Sequence, residues 1–476
     1  MFRRPGKPDI LKGSILTTLL LIGWPIMIES LLQISYDLAD TYWLGNMGEK
    51  AGMEALAATQ VSWPLVWLMV SVGSGFGVAA IALISQHTGA KQHKEAEVVA
   101  GQVFFFMLVF STIVAIVGFL ISPMLLRSIL PDSPEVAAKG TVFMRTIFIS
   151  QPFMFTFMAF AFILRAWGDT VTPMIISAVT VTLNIILDPL FIYGVGPIPQ
   201  WGIFGAALAT LLTRALAASV AIYLLFRGKV GIKLNFDNIK PDFGKLKKLF
   251  RIGAPASIGN SGTAFGFVAV MFIVARVHNS DAALAAYNAG DRILGVMFVL
   301  MGGLAIAMST MIGQNLGAGQ VERAQEVVKK GMMAIGGLMG VFTIILFFLA
   351  RDLIIIFNQN PDVVEIGASF LLIFSLSMPF FGLFRASNAV FEGSGQTKYM
   401  MALDLLRLWG LRVPLAFVFA LVLGFQSSGV WIGMALSNVL SAVAAILVLR
   451  TGKWKTTVIE EKAVIPKRHE QIKSTR

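Results

Sequence analysis

Three acids, Glu29, Asp37 and Asp40, interrupt one long apolar run near the start of the chain, and Asn184 and Asp188 interrupt another. If both runs are helical, Tyr36, Asp37 and Asp40 share roughly one face, at spacings of three and four residues, and Asn184 and Asp188 are neighbours by the same rule. An aspartate in hydrocarbon costs about 2.5–3.5 kcal/mol on insertion scales, so each needs a partner, a wet cavity or a function. The chemistry open to such groups is the capture and release of a small cation. Two carboxyls in one low-dielectric cavity hold a proton between them, and carboxylates with an amide carbonyl also suit a hard ion such as sodium. The chain has no cysteine, which removes disulfides, thiolate metal sites and a cysteine nucleophile. Its four histidines, His87, His93, His278 and His469, lie in polar breaks or the tail, leaving carboxyls as the proton carriers. Plainer readings stand beside these: Asp40 as a boundary residue at a helix end, Asp188-Pro189 as a helix terminus, and Glu29 as half of a structural ion pair.

These residues sit in a chain of 476 residues that is 56% hydrophobic and 13% charged, against about 25% charged in soluble proteins. A water-soluble fold is excluded. With about 20 apolar residues per crossing, twelve spans are predicted near 14–41, 57–85, 98–124, 141–164, 172–194, 202–226, 252–275, 284–314, 331–350, 366–390, 400–423 and 429–449. The basic stretch before the first run precedes an apolar segment too long for a signal peptide. Taking the N-terminus as cytoplasmic puts 27 of the 38 Lys and Arg on the cytoplasmic side, which orients both termini inward in a cell membrane. The parts are then a cytoplasmic segment 1–13, a six-helix lobe 14–226, a basic cytoplasmic linker 227–251, a second lobe 252–450 and a disordered basic tail 451–476. The net charge of +12 reflects this topology and contact with anionic membrane lipids; nothing in the pattern calls for nucleic acid.

The halves repeat. Ile22-Gly23-Trp24-Pro25 matches Ile252-Gly253-Ala254-Pro255, and Gln86 through Ala90 matches Gln314 through Ala318. The series continues with Pro152-Phe153 against Pro379-Phe380, Gly168-Asp169-Thr170 against Gly395-Gln396-Thr397, and Gly202 against Gly429. Six is even, so the copies insert in parallel around a central cleft, an arrangement suited to alternating access. Asp40 and Asp188 fall opposite Val270 and Val413. An ion site confined to the first lobe explains that asymmetry better than a scaffold role. Asp291-Arg292, and Asp404 with Arg407, read as local charge pairs. Pro25 removes a helix hydrogen bond and is the predicted hinge of the first helix. Met27, Glu29, Phe153, Met154 and Trp167 are candidates to line the cleft.

Together, Tyr36-Asp37-Leu38-Ala39-Asp40-Thr41 with Leu44-Gly45, the two Gln-to-Ala segments, Leu164-Arg165 with Gly168-Asp169-Thr170 and Pro173, and Gly202, Gly205, Ala206 and Ala207 resemble the multidrug and toxic compound extrusion (MATE) family. The resemblance covers roughly 14–450 and is nearest the DNA-damage-inducible branch. It implies an all-α, V-shaped, two-lobe membrane antiporter that expels small amphipathic, often cationic, compounds as a monomer without a cofactor. The coupling ion is H+ or Na+, with the proton favoured. By the same resemblance Asp40, Asn184 and Asp188 form the cation site, where sodium would also bind, with Tyr36, Asp37 and a hydroxyl at Thr210 in support. An intramembrane enzyme is not expected. The rival reading is a flippase for a lipid-linked anionic intermediate, prompted by Arg145, Arg214, Arg385, Arg407 and Arg412.

Overall fold

The computed structural model describes residues 9–129, 131 and 133–459. Residues 1–8 of the expected N-terminal segment and 460–476 of the expected tail therefore lie outside the described residues. The first half contains α1 (Ile15–Gly45), α2 (Glu49–Gly89), α3 (His93–Ile129), α4 (Pro134–Trp167), α5 (Val171–Tyr193) and α6 (Ile203–Arg227). A linker with a single helical turn, Phe236–Ile239, leads to α7 (Phe243–Val274), α8 (Ser280–Gly317) and α9 (Val321–Phe357). Next comes α10, in two segments, Pro361–Ser375 and Met378–Ser394, bent by 52°. The chain closes with α11 (Thr397–Val422) and α12 (Gln426–Arg450).

Among the described residues twelve crossings follow if the bent pair counts as one, and each coincides with an expected run. The helices outlast those runs by several residues at most ends because their polar terminal turns can keep backbone hydrogen bonds while reaching water. Burial repeats between halves. In their most apolar stretches α2 is 72% buried and α3 22%, and likewise α8 is 56% and α9 17%. The second helix of each copy is therefore central and the third faces lipid. Pro379 opens the second segment of α10, whereas α4 continues through Pro152. Polar side chains accompany the bend: Thr343 donates to the Ser375 carbonyl at 2.7 Å and Asn438 to the Ser377 hydroxyl at 3.0 Å. Free backbone groups inside a bilayer persist only where such partners exist.

The halves meet near the linker end. Gly89 approaches Gln314 so closely that an added Cβ would stand 1.9 Å from its carbonyl oxygen, and Gly317 stands in the same relation to Gln86, also at 1.9 Å. Each glutamine also reaches across: Gln86 Nε2 donates to the Gly393 carbonyl at 3.1 Å and Gln314 Nε2 to the Ala166 carbonyl at 2.9 Å. The repeat seen in sequence is thus a reciprocal latch. Further up, Ser71 and Ser261 share a hydrogen bond of 2.9 Å, Asn260 donates to Ser74 at 3.0 Å, and Met27 packs on Gly303. The described cross-contacts occupy the linker-side stretches of α1, α2, α7 and α8, with Ala166 at the end of α4 and Gly393 near the end of α10, so the lobes form the arms of a V.

Candidate functional site

α1 belongs to both lobes. Its first turns, with Ile15, Leu19 and Ile22, are buried in the hydrophobic core of the second half, and Gly23 lies against Leu304 of α8. Its far end is held to the first half instead, where Tyr193 of α5 donates to the Trp43 carbonyl at 2.6 Å. Pro25 is buried between these anchorages, and α1 passes through it unbroken from Ile15 to Gly45.

Past Pro25, helical spacing carries Tyr36 and Asp40 to the face that meets α5 and α6. The Tyr36 and Thr210 hydroxyls are 2.8 Å apart. The Asp40 carboxyl is a close neighbour of the Asp188 carboxyl and of the Tyr36 hydroxyl. Asn184 (1% exposed), Asp188 (0%) and Thr210 (3%) are sealed from the surface. Among the described residues no donor meets Asp40 Oδ1 or either Asp188 oxygen, and both amide atoms of Asn184 lack partners. Five polar atoms buried in one place without partners run against the rule that buried polar groups are satisfied, at about 1–3 kcal/mol each. Two carboxylates cannot hydrogen-bond to each other until a proton lies between them. The arrangement therefore has the donor set for a proton with water, or for a hard cation among the oxygens of Asp40, Asn184 and Asp188.

Asp37 stands at the edge of the group, with Gln33 donating to it at 3.3 Å. Arg214, one turn beyond Thr210, is assigned by sequence only to the rival anionic reading, yet it belongs beside this cluster. Its charge acts on Tyr36, Asp37 and Asp40 while its Nη1 donates to Ser150 at 2.8 Å. The signal was present, since positions 210 and 214 share a helix face.

The cleft candidates are placed differently. Glu29 binds Arg165 of α4 at 2.7 Å with both side chains largely buried, and Ser177 lies 3.5 Å from its other oxygen; this is the structural ion pair. Met27 is packed into the interface of the halves, and Met154 against the first-half core. Phe153 is half-buried on α4. Trp167 is a correction. At the last residue of α4 it meets His93 edge-on at 5.2 Å and the linker glycine Gly231, so it packs the linker end rather than lining the cleft. A second correction concerns Asp404 and Arg407, which form no ion pair within 4 Å among the described residues. α11 widens into a π-helical stretch from Leu406 to Arg412, which opens the spacing on which the pairing relied. Asp404 accepts instead from Asn388 at 2.9 Å.

The sequence pattern of the MatE family matches residues 25–190 and 255–418, the two halves in turn. The chain is 28% identical over 442 residues to the "Probable multidrug resistance protein NorM" of Thermotoga maritima, covering 93% of each. It is also 28% identical over 428 residues to the "Probable multidrug resistance protein YoeA" of Bacillus subtilis, covering 89% of this chain and 90% of that one. In fold it matches a solved structure described as the outward-facing conformation of a multidrug resistance MATE family transporter, with a TM-score of 0.86, 22% identity, and coverage of 95% and 98%. Paired six-helix lobes, twelve apolar crossings and a family pattern spanning both halves leave one assignment: this chain is a multi-pass membrane transporter and belongs to the MatE family.

Proposed function

We propose that the chain is a proton-coupled antiporter exporting amphipathic organic cations, with Asp40 and Asp188 as the exchanging pair. The observation carrying this reading is the cluster in the first lobe, where half-buried Asp40 and fully buried Asp188 keep unpartnered carboxyl oxygens beside an unpartnered Asn184. A proton entering from the far side joins the carboxyls, removes one negative charge and turns Tyr36 and Asn184 toward new partners. α1 transmits the change, because the helix that carries Tyr36 and Asp40 is the one whose start is buried in the second lobe, with Pro25 between. Proton loss on the linker side restores the anionic cluster and its attraction for a cation. Coupling requires only that the two states differ in affinity for substrate. The linker side is taken as cytoplasmic from the bias of basic residues, so the latch of Gln86 and Gln314 closes the inner mouth.

Detergent-solubilised protein mixed with tetraphenylphosphonium in weakly buffered medium tests the exchange. Proton release is expected on binding, and it should vanish in Asp188→Asn. Cation binding with no proton release, at any pH from 6 to 8, would refute proton exchange; sodium-dependent binding in its place would hand the same oxygens to sodium.

A further inference from the structure

Beyond Arg450 at the end of α12 the chain passes through a single helical turn, Lys453–Lys455, and on to Ile459. The first part of this segment is fixed to the second half. Trp454 is 4% exposed within that half's core, and its Nε1 donates to the Leu449 carbonyl at 3.2 Å. Lys453 lies over the Tyr399 ring, 5.6 Å from its centre, and Gln396 donates to the Thr456 hydroxyl at 3.1 Å. The last part reaches the first half. The Val458 N–H donates to Gln86 Oε1 at 2.9 Å, and the side chains of Val458 and buried Ile459 join the core that α2, α3 and α4 dominate. Val458 sits where the halves touch, since a Cβ added at Gly395 would meet its methyls at 3.0 Å and Ala82 at 3.6 Å. Gln86 therefore serves two partners, Gly393 through its nitrogen and Val458 through its oxygen.

When the linker-end mouth opens, Gln86 parts from Gly393, and a segment anchored in both halves must let go of one of them. The hold on the second half is the stronger: a buried indole removes more apolar area from water than two aliphatic side chains do, and the segment is covalently continuous with α12. The hold on the first half is one backbone hydrogen bond with Val458 and Ile459. We infer that residues 452–459 form a strap across the inner mouth, which stays with the second lobe and releases Gln86 and the first-lobe core whenever that mouth opens. The strap stabilises the closed inner mouth and so sets how readily the transporter turns inward. This inference rests on the alternation of two mouths in the proposed function, and it is independent of which ion drives that alternation.

The test is maleimide labelling of a single cysteine in the full-length protein, with neither gradient nor substrate present. In the Ser309→Cys background, where the cysteine is buried at the closed linker end, Val458→Pro removes the N–H that Gln86 accepts and should speed labelling about fivefold. Ile459→Ala, which weakens the first-lobe anchor, should act in the same direction, and it carries the test if melting shows that the proline disturbs folding. Thr457→Pro is the control. Its N–H makes no hydrogen bond among the described residues, and Thr456 before it is extended, with φ −106° and ψ 146°, which suits a following proline; labelling should stay at the parent rate. Gln86→Leu should speed labelling, and adding Val458→Pro to it should change nothing further, because both remove one bond. Ile459→Cys on its own should label slowly, and faster once Gly317→Ala is added. Parent-rate labelling in Val458→Pro and Ile459→Ala, full additivity with Gln86→Leu, or equal acceleration by Thr457→Pro would overturn the strap. Labelling of Ile459→Cys that ignores Gly317→Ala would overturn its release. Because no ion gradient enters these measurements, their failure leaves the proton reading standing, and failure of the proton tests leaves the strap standing.

Discussion

The latch at the linker end can be perturbed by one methyl group. In Gly317→Ala the new Cβ stands 1.9 Å from the Gln86 carbonyl oxygen, whereas non-bonded contact begins near 3.5 Å. The lobes must therefore separate locally by about 1.5 Å. The latch bonds, 3.1 Å for Gln86 to Gly393 and 2.9 Å for Gln314 to Ala166, are then carried past the limit of a hydrogen bond. A buried amide left without its acceptor costs about 1–3 kcal/mol, which corresponds to a shift of roughly 5- to 150-fold toward states with the latch open. Because the chain lacks cysteine, a single Ser309→Cys reports on the latch directly: Ser309 is fully buried and its carbonyl adjoins Gly393. Maleimide labelling of that cysteine is expected to accelerate by the same 5- to 150-fold when Gly317→Ala is added, while gradient-driven efflux falls. Gly89→Ala should reproduce the effect through Gln314. Unchanged labelling and unchanged efflux in both alanine variants would show that this contact does not hold the linker end closed.

Further expectations follow from the first lobe. Glu29→Gln strands Arg165 and should lower the melting temperature of the purified protein, since breaking a buried pair costs about 3–5 kcal/mol; the double variant with Arg165→Gln should recover part of that loss, and equal melting in all three would contradict a structural pair. Tyr36→Phe removes the 2.8 Å bond to Thr210, worth about 1 kcal/mol, and should move the midpoint of proton release by several-fold in proton concentration without abolishing it. Trp167→Phe keeps the packing on His93 and should leave the range of exported compounds unchanged, as judged by growth protection against several cationic dyes.

How much of this was legible follows from what each residue costs. Asp40, Asn184 and Asp188 stood out because polar groups in apolar runs are expensive, and the structure gathers them with Tyr36 and Thr210. The pairing of Gln86 with Gln314 was visible as a repeat, but its meaning was not. That one glutamine crosses to Gly393 and the other to Ala166 depends on how two lobes dock, which no local pattern encodes. The pair expected of Asp404 and Arg407 does not form because α-helical spacing does not hold where α11 takes a π turn. Trp167 shows the converse error, a large aromatic beside a polar break assigned to a cleft when Gly168 simply ends the helix and the linker folds over the ring. Helix ends were drawn short because hydropathy marks where lipid stops, while backbone hydrogen bonding continues into the polar turns.

Exchange of a proton at Asp40 and Asp188 for the exported cation is tested by efflux of an organic cation from proteoliposomes driven by an imposed proton gradient and, separately, by a sodium gradient, in the parent and in Asp40→Asn and Asp188→Asn. Proton-driven efflux is expected in the parent and its loss in both variants, with every protein folded by melting and reconstituted equally. Proton-driven efflux that persists undiminished in both asparagine variants would contradict it.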